Sequence, residues 1–107
     1  MRNFWTACFL LCAFPLGANA SDFCATMFDG FAAEMEEIAS SYDRMKTDDE
    51  VCRFGRGTDI PARKRILATV EANQSKCKNG AAAVNFARES LQNAVSQTNE
   101  ACRKAGL

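Results

Sequence analysis

The chain has 107 residues, with thirteen Lys and Arg against thirteen Asp and Glu, six cysteines and no histidine. That length bounds it to one or two small domains. The balanced charge argues against nucleic acid as a partner, and the missing histidine excludes Ser-His-Asp and Cys-His catalysis and removes the usual nitrogen ligand of zinc.

Arg2 charges the amino end, and from Phe4 to Leu16 the chain reads FWTACFLLCAFPL, too short for the roughly 20 residues of a permanent membrane span. Pro15 and Gly17 then interrupt it, and Ala18-Asn19-Ala20 places small residues at the −3 and −1 positions of a cleavage site. This order predicts a secretory signal peptide over residues 1–20, cut before Ser21. The plainer alternative is a buried or anchoring amino-terminal helix. A lipoprotein modified at Cys12 requires a small residue just before that cysteine, and Leu11 stands there. The short leader and the Ala-rich remainder point to a periplasmic protein, with release outside the cell as the alternative.

Cleavage removes Cys8 and Cys12 and leaves 21–107 as a single helical domain with no transmembrane span. It retains Cys24, Cys52, Cys77 and Cys102. Four cysteines in a small exported chain read as two disulfides. Their wide spacing, with no C-x-x-C, argues against a metal site, and no cofactor motif is present.

Ser21 is placed to cap a first helix, with Asp22 in its first turn. Apolar or cysteine residues follow at Cys24, Phe28, Phe31, Met35, Ile38, Tyr42 and Met45, in steps of four and three. Such a heptad seam serves an internal core or a homodimer. Gly30 weakens this helix by about 1 kcal/mol relative to alanine without ending it. Next, Thr47 and Glu50 have capping-box spacing, so a short helix carrying Cys52 is expected, stopped by Gly55. Within residues 56–65 a loop leads to Asp59 as a helix cap, with Pro61 in the first turn. The helix that follows runs from about Ile60 to Lys76 and buries Ile66, Leu67, Val70 and Cys77. Asn79-Gly80 makes a turn, and a last helix runs from about Ala81 to Lys104 with Val84, Ala87, Leu91, Ala94, Val95, Thr98 and Cys102 inward. No segment of 21–107 alternates with period two, so no sheet is expected.

The fold class is therefore all-α, a three-helix up-down-up bundle whose second arm breaks near Gly55–Thr58. This geometry selects a cysteine pairing. A first helix rising 1.5 Å per residue separates the poles by roughly 30 Å, whereas bridged Cα atoms lie within about 7 Å. Cys24 and Cys77 share one pole, Cys52 and Cys102 the other, so Cys24–Cys77 and Cys52–Cys102 are the expected bridges. Each closes a loop of about fifty residues, worth about 4 kcal/mol in the chain-entropy picture.

No catalytic constellation is left. The paired carboxylates Glu34/Glu37 and Asp48/Asp49 read as a solvated helix face and a helix amino-terminus, so an enzyme is not expected. The charge is uneven: residues 21–50 hold nine acids and two bases, and residues 51–107 hold ten bases and four acids. Arg53, Arg56, Arg63, Lys64 and Arg65 gather around one connection with only Asp59 opposing, a candidate patch for an anionic or protein partner. The plainer reading is that the acidic first helix neutralises the basic arms. Asn73-Gln74-Ser75 fits the glycosylation pattern, relevant in a eukaryotic host. The expected function is that of an exported binding or accessory protein docking to a protein or anionic component of the envelope. The alternatives are an effector or inhibitor acting outside the producing cell, or a carrier of a small hydrophobic ligand held by Phe28, Phe31, Met35 and Met45.

Overall fold

The computed structural model describes residues 20–107. The expected signal peptide lies outside them except for its last residue, Ala20. The described elements are α1 (Ala20–Tyr42), α2 (Asp48–Phe54), a π-helical turn (Gly55–Asp59), α3 (Ile60–Ala72), a 3-10 turn (Gln74–Lys76) and α4 (Gly80–Ala105). There is no strand among the described residues, and no helix among them is long and apolar enough to cross a membrane.

Helix α1 follows the apolar seam. It is already helical at Ala20, so Ser21 lies inside it and not at its cap. It also ends before the seam does. The N–H groups of Asp43, Arg44 and Met45 donate to the carbonyls three residues back, at 3.1 to 3.2 Å, and this tightening closes the helix. At Thr47 the capping box is complete. Thr47 Oγ1 accepts from Glu50 N at 3.1 Å, and Glu50 Oε1 accepts from Thr47 N at 3.0 Å and from Lys46 N at 2.7 Å. These backbone donors hold the exposed Glu50 carboxyl below its usual range.

The break expected in the second arm is a change of helical pitch, not a loop. α2 ends at Phe54, as expected, but Gly55 after it is right-handed helical (φ −59°, ψ −47°) and keeps the chain winding. The chain winds one wider turn, closed by Ile60 N donating to Gly55 O, and re-enters α3. Asp59 is likewise helical and makes no cap hydrogen bond, which corrects its reading as a cap. Pro61 has no N–H to give to the preceding turn and would crowd a carbonyl of a regular α-helix. The wider turn before it accommodates both defects. α3 ends at Ala72, four residues short of expectation, because the Asn73 side chain donates to Thr69 O at 2.8 Å and diverts the backbone into the 3-10 turn. α4 ends as expected, at a left-handed Gly106 (φ 78°) whose following residue, Leu107, donates to Cys102 O at 2.8 Å.

Both expected disulfides are present: Cys24–Cys77 with Cα atoms 5.7 Å apart, and Cys52–Cys102 with 4.7 Å. The first fixes the start of α1 to the end of the second arm, and the second fixes α2 to the end of α4. The helices therefore run up, down and up.

The arms do not pack equally. Ala87, Ala94 and Ala101, seven residues apart on α4, are buried, and this stripe lets α4 approach the α2–α3 arm closely. The core there comprises Ile66, Val70, Val84 and Ala87. A second, smaller cluster surrounds the Cys52–Cys102 bridge with Ala101. Helix α1 reaches the core through the long side chains of Phe28, Phe31 and Met35, all only partly buried.

Candidate functional site: an apolar groove beside a buried polar clamp

The stand-off of α1 leaves a groove. Phe28, Phe31, Ala32 and Met35 form its α1 wall, Ile66 and Val70 its floor, and Ala82, Ala83, Phe86 and Ala87, with Asn79 just before the helix, its α4 wall. The cause is a mismatch of side-chain size. α4 presents alanines where α1 presents aromatic rings, and the two helices do not close over the difference. The resulting space measures about 310 Å³, at the small end of the roughly 300–1,000 Å³ found for small-ligand sites. Among the described residues Asn79 is its one polar lining residue. Phe86 stands at the groove with 62 % of its surface exposed. An exposed large apolar residue next to an apolar cleft marks a surface that can bind.

Beyond the groove, toward the other pole, a polar clamp fastens the carboxyl end of α1. Asp59 is 1 % exposed, turned inward by the π turn. The Tyr42 hydroxyl donates to its Oδ2 and Arg63 Nε to its Oδ1, while Arg63 Nη1 donates to Ser90 Oγ at 3.1 Å. A buried carboxylate is tolerated only when paired and hydrogen-bonded, and both its oxygens are. The Tyr42 ring meets Phe54 edge to face at 5.0 Å. Burial, and then the hydrogen bond to the Asp59 carboxylate and its charge, push the Tyr42 hydroxyl well above its ordinary value near 10, so it stays a donor. With both oxygens hydrogen-bonded and the residue buried, Asp59 anchors the end of α1 to the second arm.

No family model, curated protein or solved structure matches the chain.

The five cations of the candidate anion patch occupy different settings. Arg63 is held in the clamp. Arg53 pairs with Asp49 at 3.0 Å within its own helix, and Arg65 crosses to Glu34 on α1. Arg56 and Lys64 are exposed and in no ion pair among the described residues. The carboxylates Glu34 and Asp49 are thus engaged by arginines. Among the described residues no group of three or more metal-ligating side chains is assembled. Of the hydrophobic-ligand set, Phe28, Phe31 and Met35 line the groove, and Met45, beyond the end of α1, does not. Sequence reasoning missed Phe86 and the clamp. Phe86 carried one signal: it is a large apolar residue off the inward stripe of Val84 and Ala87.

Proposed function

We propose that this chain is a small exported accessory protein that binds an apolar ligand in the groove between α1 and α4. One observation carries the reading: a space of about 310 Å³ whose lining is apolar apart from Asn79, flanked by the exposed Phe86. The disulfides support an oxidising compartment, and the clamp and bridges give the groove walls fixed at both ends. A rigid, largely pre-formed apolar cleft binds without a large ordering cost. The basic cluster supports an anionic partner less well, because three of its five cations already face carboxylates.

The test uses the processed, disulfide-bonded protein and the uncharged fluorophore N-phenyl-1-naphthylamine. Saturable enhancement is expected with wild type. It is lost in Ala82→Trp, which fills the groove from an exposed position and leaves stability within about 0.5 kcal/mol of wild type. No enhancement with wild type, or undiminished binding by the tryptophan variant, contradicts the reading. Export is tested separately by the mass of the protein recovered from an exporting host, expected to begin at Ser21. Its distribution between periplasm and medium separates a periplasmic accessory protein from an effector acting outside.

A further inference from the structure

The groove has chemically distinct ends. Asn79, its polar lining residue, lies at the pole closed by Cys24–Cys77, and the far end is made by Met35, Ile66 and Ala87. Residues 72–88, which lead into the groove and form its α4 wall, contain Lys76, Lys78 and Arg88 and no carboxylate. Arg88 is neutralised by Glu71 at 3.3 Å. Lys76 and Lys78 are exposed and in no ion pair among the described residues. Lys76 Nζ lies 5.8 Å from the ring centroid of Phe23, which keeps one ammonium at the junction with α1. Asn79 also leaves α4 without a side-chain cap. Gly80 N donates to Cys77 O at 3.1 Å, and the dipole of this 26-residue helix adds positive potential at the same end. On the facing helix, Glu34, beside Met35 at the far end, is engaged by Arg65, and Asp22 and Asp29 are the carboxylates of α1 nearer the Cys24 pole.

From this polarity we infer that the ligand is a single-chain anionic amphiphile, a medium-chain carboxylate. Its alkyl tail lies between α1 and α4 toward Met35, and its head is at Asn79, beside Lys78 and Lys76. The small volume suits one chain and not a two-chain lipid. The inference rests on the groove being the binding site and adds the charge and direction of the ligand.

The experiment compares dodecanoate, dodecan-1-ol and dodecyltrimethylammonium as competitors of N-phenyl-1-naphthylamine, each below its micellar concentration, at neutral pH and low salt. The expected order is carboxylate first and ammonium last. Two exposed cations give the carboxylate an advantage of about fivefold over the alcohol, shrinking as salt is raised. In Lys76→Ala/Lys78→Ala, dodecanoate falls to the affinity of the alcohol, and the alcohol is unchanged. Equal competition by carboxylate and alcohol with wild type, or preference for the ammonium, overturns the head-group assignment and leaves the apolar site standing. Failure of all three, the alcohol included, to displace the fluorophore overturns the groove itself. The wild-type comparison needs no variant to fold.

Discussion

Gly55→Ala gives opposite results depending on whether the π turn packs as described. On helical propensity alone, alanine in place of a helical glycine stabilises by about 1 kcal/mol. In the structure, a Cβ at position 55 collides with Thr98 Oγ1 and comes within 2.7 Å of Thr98 Cγ2 and 2.8 Å of Thr98 Cβ. Rotating the threonine moves the first two atoms, but Cβ is fixed by the backbone of α4, so the arms themselves must separate. The Cys52–Cys102 bridge, close by in sequence on both helices, resists this. Overpacking of this kind costs about 1–3 kcal/mol, and subtracting the propensity gain leaves a net loss of up to about 2 kcal/mol. For a domain of this size that lowers Tm by up to roughly 16 °C, at about 4–8 °C per kcal/mol. Gly57→Ala is the control: its position is exposed, and an added Cβ meets nothing within 4 Å, so it stabilises by about 0.4–1 kcal/mol. Chemical denaturation of both variants, with the disulfides intact, decides the matter. A Gly55→Ala protein as stable as Gly57→Ala refutes the packing of the π turn against α4.

Tyr42 is the only tyrosine in the chain, so phenolate absorbance reports on the clamp alone. Its pKa is raised in the folded state, so the clamp's contribution is full below the unfolded value of about 10 and declines as pH rises beyond it. A native titration midpoint at the denatured value contradicts the bond to Asp59. Tyr42→Phe leaves Asp59 Oδ2 without its donor and is expected to cost about 1–3 kcal/mol by denaturant titration. It also abolishes the alkaline loss of stability. Removing either bridge, as Cys24→Ser/Cys77→Ser or Cys52→Ser/Cys102→Ser, costs about 2–5 kcal/mol. Only the first is expected to weaken fluorophore binding in the fraction that remains folded, because it frees the α1 wall of the groove. Thr47→Ala removes the cap of α2 and costs about 1 kcal/mol in thermal unfolding.

The bridges were legible from sequence because helices are rigid rulers. Once three helices with short connections are read, Cys24 and Cys52 cannot meet, and Cys24 and Cys77 must. The cap at Thr47 was legible for a local reason: its three hydrogen bonds lie within residues 46–50. Gly55–Asp59 was not legible, because Gly-Arg-Gly-Thr-Asp has the composition of a loop. What keeps it helical includes partners far along the chain, Thr98 against Gly55 and Tyr42 at Asp59. Asp59 has the residue type of a helix cap, and only the tertiary partners of its carboxylate distinguish a cap from an anchor. The groove was half legible. Phe28, Phe31 and Met35 share one face by their spacing, but the same spacing describes a closed core. The gap depends on the small side chains of Ala82 and Ala83 opposite them.

The claim that the groove between α1 and α4 is the ligand site is tested most directly by amide and methyl NMR of the processed protein titrated with dodecan-1-ol. Shift changes concentrated on Phe28, Met35, Ala82 and Phe86 are the predicted result. Changes that avoid these residues and gather around Arg56 and Lys64, or no saturable change at all, contradict it.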